Sequence, residues 1–249
     1  MAIIIKSDRE IALMRQAGRI VALTLEALTR AIRPGITTAE LDVIAEREIR
    51  SRKGIPSFKG YRGFPASICV SVNDEVVHGI PGSRVLKEGD IVSLDVGAIF
   101  EGFQGDAALT VPVGKVSPKA RALLEATDGA LNAGIAAARP KARLGDVSAA
   151  IQQYVESRGF SVVREYVGHG IGREMHEEPQ VPNFGEPGRG PLLRKGMTLA
   201  LEPMVNVGDW RTRINRNQWT VHTLDGSLSA HFEHTIAIAE GKAEILTKP

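Results

Sequence analysis

Apolar residues return at helical spacing from the start of the chain. Ile11, Met14, Ile20, Leu23 and Leu28 trace the stripe of an amphipathic helix. Ser7 and Glu10 frame its start as a capping box, and Pro34-Gly35 closes it. Thr37 and Glu40 repeat the device, which predicts a second helix running to about Ser51. The period then changes. After the glycine-rich loop "KGYRGFP", the segments "SICVSVN", "DIVSLDVGAIF" and "AALTVPV" read as strands, the last two joined by a turn near Gly102. Ser117-Pro118 opens a long alanine-rich helix with proline at its first position, and Arg139-Pro140 ends it. A fourth helix is expected from about Asp146 to Arg158. Strands are expected at 161–166, 197–206, 218–223, 231–239 and 243–247.

The pattern echoes itself. "RPGITTAELDVIAEREIRSRK" at 33–53 aligns with "RPKARLGDVSAAIQQYVESRG" at an offset of 106 (139 − 33). "LKEGDIVSLD" aligns with "LRKGMTLALE" at an offset of 107 (202 − 95). Two matches in the same order, at nearly one offset, predict two similar halves at roughly 10–115 and 116–249. Each half would hold helices and antiparallel strands, packed as one α+β domain over 1–249. The repeat is far longer than that of a solenoid.

Composition narrows the class. The chain has 249 residues, 43% hydrophobic and 24% charged, enough for a sizeable core. A net charge of +2 gives no footprint for nucleic acid or a membrane surface. Cys69 is the single cysteine, so no disulfide within the chain is possible, which fits a reducing compartment. "MAIIIKSDRE" lacks the long apolar run of a signal peptide, and no stretch approaches the ~20 residues of a membrane span. A cytoplasmic protein is expected.

The acids carry the candidate chemistry. The echo places Asp95 and Glu202 at equivalent ends of equivalent apolar strands, so pseudo-symmetry would bring them together. Asp106 follows on the return strand. The midpoint of 95 and 106 falls in the turn at Phe100-Glu101, so a simple hairpin sets the two carboxylates directly opposite each other. Facing carboxylates repel unless a proton or cation sits between them. Glu233 stands in "SAHFEHTIAIA", read as one apolar strand of period two. His231 shares its face and His234 points the other way; each is either a ligand or an ordinary strand residue. In "YVGHGIGREMHEEP", Gly168, Gly170 and Gly172 argue against a helix around His169 and His176. Asp95, Asp106, Glu202, Glu233 and His169 form a donor set suited to Mn, Fe or Co. Four carboxylates exceed what one catalytic ion with an open position needs, and they fit two ions ~3.5–4 Å apart.

With "VVHGIP", "GDIVSLDVGAIFEGFQGDAA", "YVGHGIGREMHEEP", "GMTLALEPMV" and "DGSLSAHFEHTIAI" in order, the chain resembles the type I methionine aminopeptidases, in the minimal bacterial style without an N-terminal extension. Only 25 residues lie between His176 and Glu202, which leaves no room for the insertion of type II relatives. The resemblance implies a pita-bread fold, two related αβ halves around a dinuclear metal site. It assigns the ligands to Asp95, Asp106, His169, Glu202 and Glu233. His176 would bond the scissile peptide and its tetrahedral intermediate, with His78 on the other side of the substrate. The methionine pocket would include Phe58, Tyr61, Phe64, Cys69, Met175 and Trp219. Phe58, Phe64 and Met175 depart from residues that some relatives carry, which bears on inhibitor fit. A monovalent cation is expected beside Asn73, Glu75 and Ser229, held mostly by backbone oxygens.

The implied reaction is hydrolysis of the first peptide bond by a hydroxide bridging the metals, with Glu202 as the candidate for proton transfer. The implied substrates are nascent proteins beginning with Met and a small second residue, met in transient proximity to the ribosome by a monomeric enzyme. Two other readings compete. A proline-directed peptidase shares the ligand set but usually carries an extra N-terminal domain. A non-catalytic binding protein on this fold tends to lose ligands, and all five are present here.

Overall fold

The computed structural model describes residues 2–249. Its helices are α1 (Asp8–Ala31), α2 (Thr38–Ser51), α3 (Pro118–Ala137) and α4 (Leu144–Glu156). Both expected capping boxes form. Glu10 accepts from the Ser7 N–H at 2.9 Å, and Glu40 from the Thr37 N–H at 2.8 Å. α4 begins before Asp146, because the Asp146 carboxylate caps backwards onto the Arg143 N–H at 2.7 Å. No helix is long and apolar enough to cross a membrane among the described residues.

The first five strands are β1 (Ile55–Pro56), β2 (Ile68–Val72), β3 (Glu75–Val77), β4 (Ile91–Phe100) and β5 (Phe103–Pro112). The next five are β6 (Ser161–Val162), β7 (Gly168–Gly170), β8 (Glu177–Val181), β9 (Thr198–Leu201) and β10 (Met204–Asn206). The last are β11 (Thr212–Ile214), β12 (Val221–Thr223), β13 (Ser229–His231), β14 (His234–Ile238) and β15 (Ala243–Ile245). Two expected strands are broken in the middle. The 197–206 segment stops at Glu202-Pro203, where proline has no N–H to continue a ladder. The 231–239 segment is interrupted at Phe232-Glu233. The short strands β1, β3, β7, β8 and β11 carry too little alternation to be read from sequence.

β4 is the hub of the first sheet, pairing with β1 and β2 on one edge and β5 on the other. The second sheet runs β15-β14-β9-β7-β8, antiparallel throughout. Two three-stranded sheets, β13-β10-β6 and β11-β12-β3, complete the middle of the molecule. α1 and α2 cover the first sheet over a core that includes Val21, Leu28, Leu41, Ile49, Val92 and Leu94. α3 and α4 pack over a second core with Leu123, Leu131, Ile151, Leu199 and Ile236. The helices are therefore outside and the sheets are sandwiched between them.

A seam joins β5 to residues 231–235. Ala108 of β5 and Glu233 exchange backbone hydrogen bonds at 2.8 and 3.3 Å. On either side, Thr235 Oγ1 donates to the Asp106 carbonyl at 2.7 Å and accepts from its N–H at 3.0 Å. Thr110 does the same for His231, at 2.8 and 2.9 Å.

α1 crosses β5 so closely that two glycines meet. A Cβ on Gly105 would lie 2.6 Å from the Gly18 nitrogen, and one on Gly18 would lie 2.3 Å from the Leu246 carbonyl oxygen. Backbone on both sides leaves no flexible atom to move aside. Gly18→Ala is expected to destabilise the protein by about 1–3 kcal/mol in chemical denaturation. Gly82→Ala, where an added Cβ meets nothing within 4 Å, is expected to leave the midpoint nearly unchanged. Equal midpoints for the two variants would show that the α1 crossing is not tight.

Candidate active site

Asp95 and Asp106 come from the β4–β5 hairpin, but not directly opposite one another. The turn is the two-residue loop Glu101-Gly102, with φ of 47° and 80°, and Phe100 pairs with Phe103. Centring the turn one residue later than expected sets Asp95 opposite Ala108 and Asp106 opposite Gly97. The two acids are diagonal neighbours on one face, which still lets each carboxyl group act on the other's titration.

Glu233 is not a strand residue. It occupies the break between β13 and β14, with its backbone on Ala108. Glu202 likewise follows the end of β9 beside Pro203, while Asp95 is mid-strand, so the two are not at equivalent strand ends. Asn183 Nδ2 donates to the Glu202 carbonyl at 3.0 Å. His169 is the centre of β7. The glycines beside it serve close strand packing: a Cβ on Gly168 would lie 2.4 Å from the Ala200 carbonyl oxygen, and on Gly170 2.2 Å from that of Glu178. His169 Nδ1 donates to the Gly170 carbonyl at 2.9 Å. That bond leaves Nε2 as the lone-pair nitrogen, 3.5 Å from a Glu202 oxygen.

The electrostatics are severe. Burial pushes the Asp95 carboxyl up to about 7. Burial, followed by the charges of the neighbouring acids, raises Asp106, Glu202 and Glu233 well above the usual carboxylate range. Burial and the adjacent His176 push His169 down to about 3, so it is a neutral donor. Asp95 Oδ1, Asp106 Oδ1 and Glu233 Oε1 are buried without a hydrogen-bond partner. Ligand atoms of Asp106, His169 and Glu233 lie within 4.8 Å of one another. Unpaired, converging oxygens with one neutral imidazole fit a divalent metal centre. Cys69 stands directly opposite Asp95 on β2, and burial, then the charges of Asp95 and Asp106, push its thiol up; it forms wall rather than thiolate ligand.

The other candidates line the same cavity: Phe58, Tyr61, Phe64, Met175 and Trp219 as its apolar wall, with His78 and His176 beside them. Phe64 and Trp219 pack edge to face at 5.1 Å. His78 holds a left-handed backbone, φ 59°. His176 lies with its ring centroid 4.3 Å from that of His169, and its Nδ1 is 2.8 Å from the Tyr61 hydroxyl. Its loop is braced by Glu177, whose Oε1 accepts from the Arg173 and Glu174 N–H groups and whose other oxygen pairs with buried Lys6.

His231 is buried near the acids, whereas His234 bonds Thr247 at 2.8 Å and faces a separate groove along α1. Arg62, Lys6, Asn183 and Glu177 are not legible in the sequence, since isolated polar residues outside long elements carry no periodic signal. Arg62 was detectable only as a charge inside the glycine-rich loop. Near the expected monovalent site, the Asn73 carbonyl accepts from the Ser229 N–H at 2.9 Å. The side chains of Asn73 and Glu75 are committed elsewhere, to Asp90 and to Arg84.

Residues 12–240 match metallopeptidase family M24. The chain is 58% identical to methionine aminopeptidase 1 of Bacillus subtilis, covering 99% of each chain. It is 57% identical to the methionine aminopeptidase of Clostridium acetobutylicum, covering 98% of each. Its structure is similar to the crystal structure of the Thermotoga maritima methionine aminopeptidase, with a TM-score of 0.99, 51% identity and full coverage of both chains. The Pyrococcus furiosus prolidase shares the fold at 22% identity and a TM-score of 0.78, with 66% of that chain covered. The chain therefore belongs to metallopeptidase family M24, as a pita-bread enzyme of the bacterial methionine aminopeptidases.

Proposed function

We propose that this aminopeptidase removes the initiator methionine from newly made proteins whose second residue is small, using two divalent ions (Mn, Co or Fe). Asp95, Asp106, His169, Glu202 and Glu233 would hold the ions. The observation that carries this reading is that Asp95, Asp106 and Glu233, each with a buried carboxylate oxygen lacking a hydrogen-bond partner, line one cavity together with the apolar side chains of Phe58, Phe64, Met175 and Trp219. When bound, such ions supply Lewis acidity and lower the pKa of water.

The residues of the chain then divide the work. Phe58, Tyr61, Phe64, Cys69, Met175 and Trp219 take the methionine side chain. The acids face the substrate α-amine, which limits cleavage to the first bond. A Tyr61 hydroxyl donating to His176 Nδ1 keeps the proton on Nε2, the tautomer that donates to a carbonyl oxygen as it gains charge. His78 contacts the peptide group beyond. Glu202 takes the proton of the attacking water and delivers it to the leaving amine. The main-chain oxygens around Asn73, Glu75 and Ser229 are the proposed place for a monovalent cation. Two related halves, roughly 10–115 and 116–249, make up the one catalytic domain, acting as a cytoplasmic monomer close to the ribosome.

Proline-directed cleavage is the competing reading on this fold. Protein stripped by chelator and refilled with Mn, Co or Fe is expected to release methionine from Met-Ala-Ser, to spare Leu-Ala-Ser and Leu-Pro, and to be inactive as Asp106→Asn. Cleavage of Leu-Pro without release from Met-Ala-Ser would overturn the assignment. His176→Ala is expected to lower kcat by about 10²–10³-fold while metal binding is retained; an unchanged kcat would remove His176 from the reaction. Because the acids are protonated more readily than usual, metal uptake must release protons. The affinity for Mn is therefore expected to rise between pH 6 and pH 8, across the Asp95 value of about 7. A flat calorimetric affinity over that range would show that these carboxyls are not the ligands.

A further inference from the structure

His231 is 2% exposed and its Nε2 has no hydrogen-bond partner. That nitrogen faces two carboxylates from different segments, Glu202 Oε2 at 3.8 Å and Glu233 Oε2 at 3.9 Å. Both distances exceed a hydrogen bond, and they are nearly equal, so the nitrogen is poised between the two acids. The backbone of His231 is held firmly. Its N–H donates to Thr110 Oγ1, its carbonyl accepts from the same hydroxyl, and Ser93 Oγ lies 2.8 Å behind Thr110 Oγ1. A buried, unpartnered imidazole nitrogen on a fixed backbone, facing two acids, calls for a role.

We propose that His231 is a positioning residue for the metal-binding carboxylates: its Nε2–H supports the Glu202 and Glu233 oxygens and sets the spacing between these two acids. The inference rests on the proposed ligand set. The imidazole acts through the carboxylates and does not itself coordinate an ion. A carboxylate oriented by an outer donor is already aligned when the ion arrives, so less ordering opposes binding.

Mn(II) titration of chelator-stripped, full-length protein tests this by calorimetry. His231→Met removes the donor and is expected to weaken Mn(II) binding by about 10–100-fold. His231→Gln keeps an N–H of similar reach and is expected to stay within about threefold of wild type. His231→Asn keeps the amide but draws it back by one methylene, and is expected to behave as His231→Met; it serves if the methionine variant does not fold. The visible spectrum of the Co(II)-loaded His231→Gln protein is expected to match wild type, because the ligand set is unchanged. Wild-type affinity in both His231→Met and His231→Asn would overturn the inference. So would a His231→Gln variant as weak as the others with an altered Co(II) spectrum, which would make His231 a ligand. Asp106→Asn is the control for the underlying reading: if it binds Mn(II) like wild type, the ligand assignment itself fails, whatever the His231 variants do.

Discussion

The structure turns on the seam between β5 and residues 231–235. Asp106, Ala108 and Thr110 of β5 meet Thr235, Glu233 and His231 through paired hydrogen bonds. Each bond contributes only about 0.5–1.5 kcal/mol net, but together they lock one register. That register decides where the acids go. Glu233 faces Ala108 from one side of β5 while Asp95 faces it from β4 on the other. Acids from both halves of the chain are thereby forced into one small volume.

Such a cluster opposes folding. Bringing one carboxylate out of water costs several kcal/mol, and four of them add mutual repulsion. Burial and mutual repulsion favour the protonated form of Asp95, Asp106, Glu202 and Glu233 unless a cation balances them. The two apolar cores under the helix pairs carry the stability that the site lacks. This division of labour is why the site lies between sheets: β4, β5 and β7 hold Asp95, Asp106 and His169, breaks in the strands hold Glu202 and Glu233, and the apolar wall and its histidines are supplied by the surrounding strands and loops. The buried Lys6–Glu177 pair extends the scheme to the His176 loop, tying a mobile class of segment to the N-terminal arm.

Arg62 marks a contrast within the cavity. It is an exposed cation on a left-handed backbone, φ 49°, stacked over Tyr61 at 5.3 Å, in a site otherwise dominated by acids. It stands at the open side, where solvent screens it, so it leaves the inner acids unneutralised. The inner charges need a partner with a higher charge density that reaches deeper than a side chain can.

What the sequence determined by itself is local and periodic. Capping boxes at Ser7 and Thr37 act within one turn of helix, so they were readable and they form. The alternation of β4 and β5, and the acids on it, were readable for the same reason. The resemblance, carried by five ordered motifs, named every residue that now lines the cavity except Arg62. What only the tertiary structure decided is register and interruption. The shift from a Phe100-Glu101 turn to a Glu101-Gly102 turn moves Asp95 from facing Asp106 to facing Ala108, and the two alternatives differ by backbone angles no composition records. The break at Glu202-Pro203 follows from a proline that has no N–H to continue the ladder, and the break at Phe232-Glu233 accompanies the bonding of Glu233 to Ala108 across the seam. His231 and His234, three residues apart, end up in different surroundings: His231 is buried beside Glu202 and Glu233, and His234 lines the groove along α1. Contacts between residues more than a hundred positions apart, such as Thr110 with His231, are paid in loop entropy and chosen by packing, and no local signal encodes them.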